Sequence, residues 1–154
     1  RDLHSFPTRR SSDLFHDRKN FDWQVAKLTQ SLKAKIEHGN NSVLAKLQMQ
    51  MNEYFAETRQ RFSISLLMTG TEFQQAVWCA LQKIPYGDTA CYQQQAATLN
   101  RPKAVRAVAN ANACNRISIV IPCHRVIGKD GSLTGYAGKI WRKQFLLDLE
   151  RGGD

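Results

Sequence analysis

A proline cuts a short helical run in two. Tyr92 to Leu99 has helix-forming composition, Asn100-Arg101-Pro102 interrupts it, and Lys103 to about Ala113 resumes it. Proline lacks the amide and crowds the preceding turn, so one continuous helix is excluded. Two short helices across a three-residue break are the sequence form of a helix-turn-helix. On the second helix Val105, Val108 and Asn112 share one side, while Lys103, Arg106, Ala107 and Asn110 lie opposite. Such an outward face lets the backbone approach a duplex closely. Its charges would meet phosphates, and one long side chain would enter a groove.

The charge pattern agrees. Between Thr89 and Lys129 there is no acidic residue, whereas Arg101, Lys103, Arg106, Arg116, Arg125 and Lys129 are basic. Over all 154 residues, 22 Lys and Arg against 13 Asp and Glu give a net charge of +9. That balance favours an anionic partner, of which nucleic acid is the commonest. No apolar run approaches the roughly 18 residues of a membrane span, so no membrane partner is expected. The cysteines at 79, 91, 114 and 123 form no C-x-x-C pair, which argues against a zinc ribbon or a disulfide framework. Reduced thiols in the cytoplasm are the expectation, with no metal and no cofactor.

Three segments are expected along the chain. Residues 1–14 lack periodicity and resemble translated sequencing adapter, although an ordinary disordered leader has the same look, and they are set aside from the fold. Residues 15–69 read as a partial N-terminal domain with a connecting helix. A helix is predicted from Phe15 to about Gly39 on the stripe Val25, Leu28, Leu32 and Ile36, and a second over Ser42 to Thr58 on Leu44, Leu47, Met51 and Tyr54. Phe62, Ile64 and Leu66 alternate with polar residues and predict a half-buried strand. Nothing in this segment reads as chemical. Residues 70–154 form the third segment. Thr71 to Gln74 fits a capping box ahead of Phe73, Val77, Ala80, Leu81 and Ile84, and Pro85 to Asp88 turns the chain.

The apolar run Ile117 to Ile121 predicts a buried strand that Pro122 ends, and Cys123-His124-Arg125 follows directly. A thiol beside an imidazole and a guanidinium is favoured as thiolate, the strong nucleophile among common side chains. Cys79, Cys91 and Cys114 read instead as small apolar fillers.

Six stretches together resemble the C-terminal domain of the O6-alkylguanine-DNA alkyltransferases: GTEFQQAVW (70–78), IPYGDTACYQQQAA (84–97), RPKAVRAVANANACN (101–115), ISIVIPCHRVIG (117–128), DGSLTGYAGK (130–139) and WRKQFLLDLE (141–150). The resemblance implies an α/β fold, mostly α in the C-terminal part. A winged-helix-like, helix-turn-helix DNA-binding alkyltransferase domain would follow a truncated N-terminal domain remnant. It implies a monomer that repairs double-stranded DNA containing O6-alkylguanine, and O4-alkylthymine, in one turnover. Cys123 would accept the alkyl group, His124 would take the thiol proton through a water, and Glu150 would orient that histidine. Tyr92 would donate a proton to the departing guanine. Arg106 would fill the gap left by the flipped base, and Gln93 and Arg101 would add DNA contacts. Asn115 would tie the recognition helix to the active-site strand. The Val126 carbonyl and the Ala137 amide would read the guanine edge, with Tyr136 as a pocket wall and Gly135 and Gly138 permitting the tight loop.

Two positions depart from that pattern. Lys139 stands where a further glycine is common, and Ala113-Cys114 where a glycine-containing pair is frequent. Three other readings are weighed: a lesion sensor without transfer, the C-terminal part of a methylation-sensing regulator, and a cysteine hydrolase. The acceptor thiol argues against the first, and the basic helix pair against the last.

Overall fold

The computed structural model describes residues 21–35 and 39–152. The leader, the predicted helix start at Phe15 and the stripe position Ile36 lie outside them. Two helices come first, α1 (Phe21–Leu32) and α2 (Ser42–Phe55), then α3 (Glu72–Leu81). A two-residue strand β1 (Ala90–Cys91) leads into α4 (Tyr92–Thr98), and α5 (Val105–Ala113) follows after the turn. The chain then forms a 3-10 turn at Cys123–Arg125, a strand β2 (Val126–Ile127) and a last helix α6 (Ile140–Glu150). None of these helices is long and apolar enough to cross a membrane.

Local chemistry explains the helix starts. Asn41 caps α2 by accepting from the Leu44 amide at 2.9 Å. Thr71 and Gln74 form the expected capping box, with bonds of 3.2 and 3.0 Å. Cys91 caps α4 in the same reciprocal way, its sulfur accepting from the Gln94 amide at 3.4 Å. Asn100 ends α4 in the left-handed region, at φ 57°.

Helices α3, α4 and α5 pack on one another around Val77, Leu81, Ala96 and Val108. Polar ties run through that packing. The Trp78 indole N–H donates to the Ala111 carbonyl at 2.8 Å. Gln95 and Asn112 exchange two side-chain amide bonds, 3.2 and 2.8 Å, and Gln95 also donates to Val77 O at 3.2 Å. All these atoms are buried, so each needs the partner it has. Met51 and Tyr54 of α2 and Leu146 and Leu149 of α6 close the same core.

β1 and β2 pair in parallel, with Ala90 opposite Val126 and Cys91 opposite Ile127. This ladder sets the start of α4 beside the 3-10 turn.

Several expectations change. The first helix stops at Leu32, and Lys33 follows at φ 48°, so Gly39 is not its stop. The second ends three residues early, at Phe55. Phe62, Ile64 and Leu66 are half-buried and alternate with exposed neighbours, yet no strand forms. Gln50 takes the partner strand's place, bonding the Ser63 amide and hydroxyl at 2.8 Å each. Ile117 to Ile121 is no strand either. Ser118 and Ile121 make one isolated bridge, and Ile119 between them sits at φ 76°. The run is apolar because it is a buried turn, which burial alone does not distinguish from a strand. Cys79 is exposed and not a core filler.

Candidate active site

Glu150, at the end of α6, is the centre of the site. Its Oε1 accepts from Tyr54 Oη at 2.7 Å, from Arg125 Nη2 at 2.9 Å and from His124 Nε2 at 2.8 Å. Its Oε2 accepts from Arg125 Nε at 2.8 Å and from the Gly87 amide at 3.2 Å. Burial would raise the Glu150 pKa, but hydrogen bonds from His124 and Arg125 and the Arg125 charge outweigh it and hold the carboxyl well below the usual range. Gly87 reaches it only as glycine: φ is 81°, and an added Cβ would meet Glu150 O at 3.0 Å.

His124 is fully buried, and desolvation lowers its pKa despite Glu150. A neutral ring bound to a carboxylate through Nε2 carries its hydrogen there. Nδ1 is left as the acceptor, and it has no protein partner among the described residues. The ring is thus a base with its lone pair on the far side from Glu150.

Cys123 opens the 3-10 turn and is only 9% exposed. Asn115 Nδ2 donates to its sulfur at 3.2 Å and to the Ile121 carbonyl at 2.8 Å, while Asn115 Oδ1 accepts from Ile117 N at 2.9 Å. One side chain therefore pins the buried turn to the end of α5 and aims an N–H at the sulfur. The sequence reading gave the charged neighbours that task. In the structure Arg125 is spent on Glu150 and on the Ile84 carbonyl at 2.7 Å, and His124 is neutral. A cation with an electrostatic link to Cys123 is Lys143, whose pKa is lowered by burial to about 8.

Lys143 was not anticipated. Its ammonium donates to Val126 O and, at 2.9 Å, to Thr134 O. Tyr92 Oη donates to the same Thr134 carbonyl at 3.1 Å. Thr134 thus joins α4, α6 and the loop that holds Tyr136 and Ala137. Burial raises the Tyr92 pKa, and a nearby Cys123 charge adds to that, so the hydroxyl keeps its proton. Gly135 passes at φ 69° where a Cβ would stand 2.8 Å from Tyr92 Oη, whereas Gly138 is not left-handed. Lys139 adopts φ 74° and ψ 143°, a conformation suited to glycine.

Tyr136 is buried in the same cluster as Cys123, and Ala137 is half-buried. Arg106, Ala107 and Asn110 are exposed along the outer face of α5, opposite buried Val108, Ala111 and Asn112. Lys103 precedes α5, in the turn. Gln93 is exposed on α4 and lines a 480 Å³ groove with Cys91, Ile127 and Lys129. Arg101 is exposed with its guanidinium 5.5 Å from the Phe73 ring. Arg116 turns inward to Thr69, at 2.7 and 3.0 Å, so it and Arg125 leave the surface cation set.

Tyr54, Gly87 and Lys143 are the participants that sequence reasoning missed. A signal existed for two of them. A tyrosine in an apolar stripe brings a hydroxyl that needs a partner once buried. Lys143, Leu146, Leu147 and Glu150 fall on one face of α6, where an isolated lysine is out of place.

The family model for the DNA-binding domain of 6-O-methylguanine DNA methyltransferase matches residues 72–152. A constitutive methylated-DNA–protein-cysteine methyltransferase of Bacillus subtilis is 53% identical over 116 residues, covering 75% of this chain and 70% of that protein. A methylated-DNA–protein-cysteine methyltransferase of Mycobacterium tuberculosis is 52% identical, covering 66% of this chain and 62% of its own length. The fold is similar to a crystal structure of Mycobacterium tuberculosis OGT in complex with DNA, at TM-score 0.70 and 49% identity over 71% of this chain and 68% of that one.

Proposed function

Since this chain belongs to the 6-O-methylguanine DNA methyltransferase family, we propose that it repairs alkylated DNA directly, by moving the alkyl group from guanine O6, or thymine O4, onto Cys123. The observation that carries this reading is the buried thiol with an amide N–H on its sulfur, next to a histidine locked to Glu150 at 2.8 Å.

In the step itself the sulfur–carbon bond forms as the carbon–oxygen bond breaks. The thiol proton passes through a water to His124 Nδ1, and Glu150 balances the imidazolium that results. The guanine leaves as an anion and takes a proton from the Tyr92 hydroxyl. A thioether is the product, and no group in the site reverses it, so each molecule acts once.

The reacting oxygen lies inside a stacked duplex, and reaching it requires base extrusion at a cost of a few kcal/mol. The exposed face of α5 supports DNA binding through phosphate contacts, with Arg106 filling the emptied stack. Val126 O has a second lone pair beside its bond from Lys143, which supports its role at the guanine edge together with the Ala137 amide. A free thiol needs a reducing compartment, which favours the cytoplasm.

Intact mass after mixing with a duplex carrying one O6-methylguanine tests the proposal. The expected result is a gain of one methylene equivalent on the Cys123 peptide. Cys123→Ala is expected to abolish that gain yet still bind the lesion duplex. Methyl transfer that survives this substitution would refute the assignment.

A further inference from the structure

We infer that Tyr54 is a positioning residue of the reactive relay: its hydroxyl sets how strongly Glu150 pulls on His124. Tyr54 lies on α2, ahead of residues 72–152 that carry the family match. The inference deepens the proposed function and rests on its assignment of His124 as the base.

Tyr54 is completely buried and donates to Glu150 Oε1 at 2.7 Å, the oxygen that also takes His124 Nε2 at 2.8 Å. Donors on one oxygen compete for its charge, so a strong second donor weakens the bond to the first. The phenol always has its proton to give, because burial and the Glu150 charge raise its pKa well above the ordinary value. Packing alone does not call for the hydroxyl. The Tyr54 ring meets Phe55 and Phe62 at 5.4 Å and Tyr86 at 6.1 Å, contacts that phenylalanine would keep.

Among the described residues, the charged and titratable groups around His124 are few. Glu150 and Lys143 face it from α6, Arg125 and Cys123 adjoin it in the 3-10 turn, and Tyr54 reaches its carboxylate from α2. Tyr86 faces Glu150 from the turn after α3, with the Arg125 guanidinium 5.8 Å from its ring and Glu57 nearby. Of the groups that donate to Glu150 Oε1 beside His124, Tyr54 is the one that can lose its polar atom without changing any charge at working pH.

Removing the hydroxyl leaves more of the Glu150 charge for His124 and raises the basicity of the ring. The test follows the His124 ring resonances by NMR from pH 4 to 8, and single-turnover methyl transfer over the same range, in wild type and Tyr54→Phe. The titration midpoint is expected to rise by about half a unit, with transfer about threefold slower below it and a plateau within about twofold. A midpoint that stays put or falls in a folded variant overturns the inference. Fluorotyrosine at position 54 is a stronger donor of nearly the same shape, and it must move the midpoint down. That second protein decides the matter if Tyr54→Phe does not fold. A shifted titration in a protein without methyl transfer would sink the repair reading and leave the coupling intact.

Discussion

The helix-turn-helix and the reactive centre are built from different kinds of polar contact. Around α3, α4 and α5 the buried polar atoms are neutral. Gln95 and Asn112 exchange amide bonds, and Trp78 donates to a helix carbonyl. Around α6 they are charged, with one carboxylate taking five hydrogen bonds from α2, the turn after α3, and the 3-10 turn. A neutral pair holds two neighbouring helices in register and is indifferent to pH. The charged cluster joins distant parts of the chain and answers to protons, as the relay proposed here requires.

The sharpest separation of the two regions is expected from Glu150→Gln. It leaves Arg125 buried against a weaker acceptor, and breaking a buried pair costs about 3–5 kcal/mol. Denaturant melts would register that loss, and methyl transfer would fall with it. Acid supplies a gentler version of the same break. His124 and Glu150 both titrate lower in the folded protein than their ordinary values of 6.5 and 4.5. The unfolded chain then binds more protons at these two groups, so their contribution to stability is full above about pH 6.5 and declines as pH falls through the His124 range, then further below about 4.5. Thermal melts from pH 8 to 4 check this sign.

Asn112→Ala removes one partner of the neutral pair and should cost about 1–3 kcal/mol. Its stability loss should be the same at pH 8 and pH 5. A loss that grows with acid would mean that the two networks are linked. Lys139→Gly comes next, with a gain of about 1 kcal/mol in chemical melts, because glycine adopts φ 74° without strain. No gain would mean that Lys139 contacts offset the backbone cost. Arg106→Ala should move stability by less than about 0.5 kcal/mol, as an exposed surface change. Repair should slow nonetheless, through weaker base extrusion. If only the salt dependence of binding changed, Arg106 would be a phosphate contact.

What could be read from the residues follows the same division. The helix pair, its break at Asn100 to Pro102 and the box at Thr71 are local patterns, and they appear where the spacing puts them. The Cys123–His124 step is local too. Glu150 was placed by resemblance to a family, since a glutamate 27 residues beyond Cys123 has no short-range signal. Tyr54 escaped because its partner stands 96 residues away, in a segment that offered only an apolar stripe. The two misassigned strands had the apolar alternation or run of a strand, but neither had a ladder partner. Gln50 satisfies one segment, and the left-handed Ile119 folds the other back on itself.

The convergence on Glu150 also bears on waste. A molecule that reacts once cannot correct a mistake, so a thiol activated in a half-open chain would be lost to any stray electrophile. Because the turn at Gly87, the 3-10 turn and the end of α6 must all arrive before His124 is held, loosening any one of them would, in the relay proposed here, disarm Cys123. The fold is what arms the thiol, and a chain that has come apart keeps only the reactivity of an ordinary cysteine.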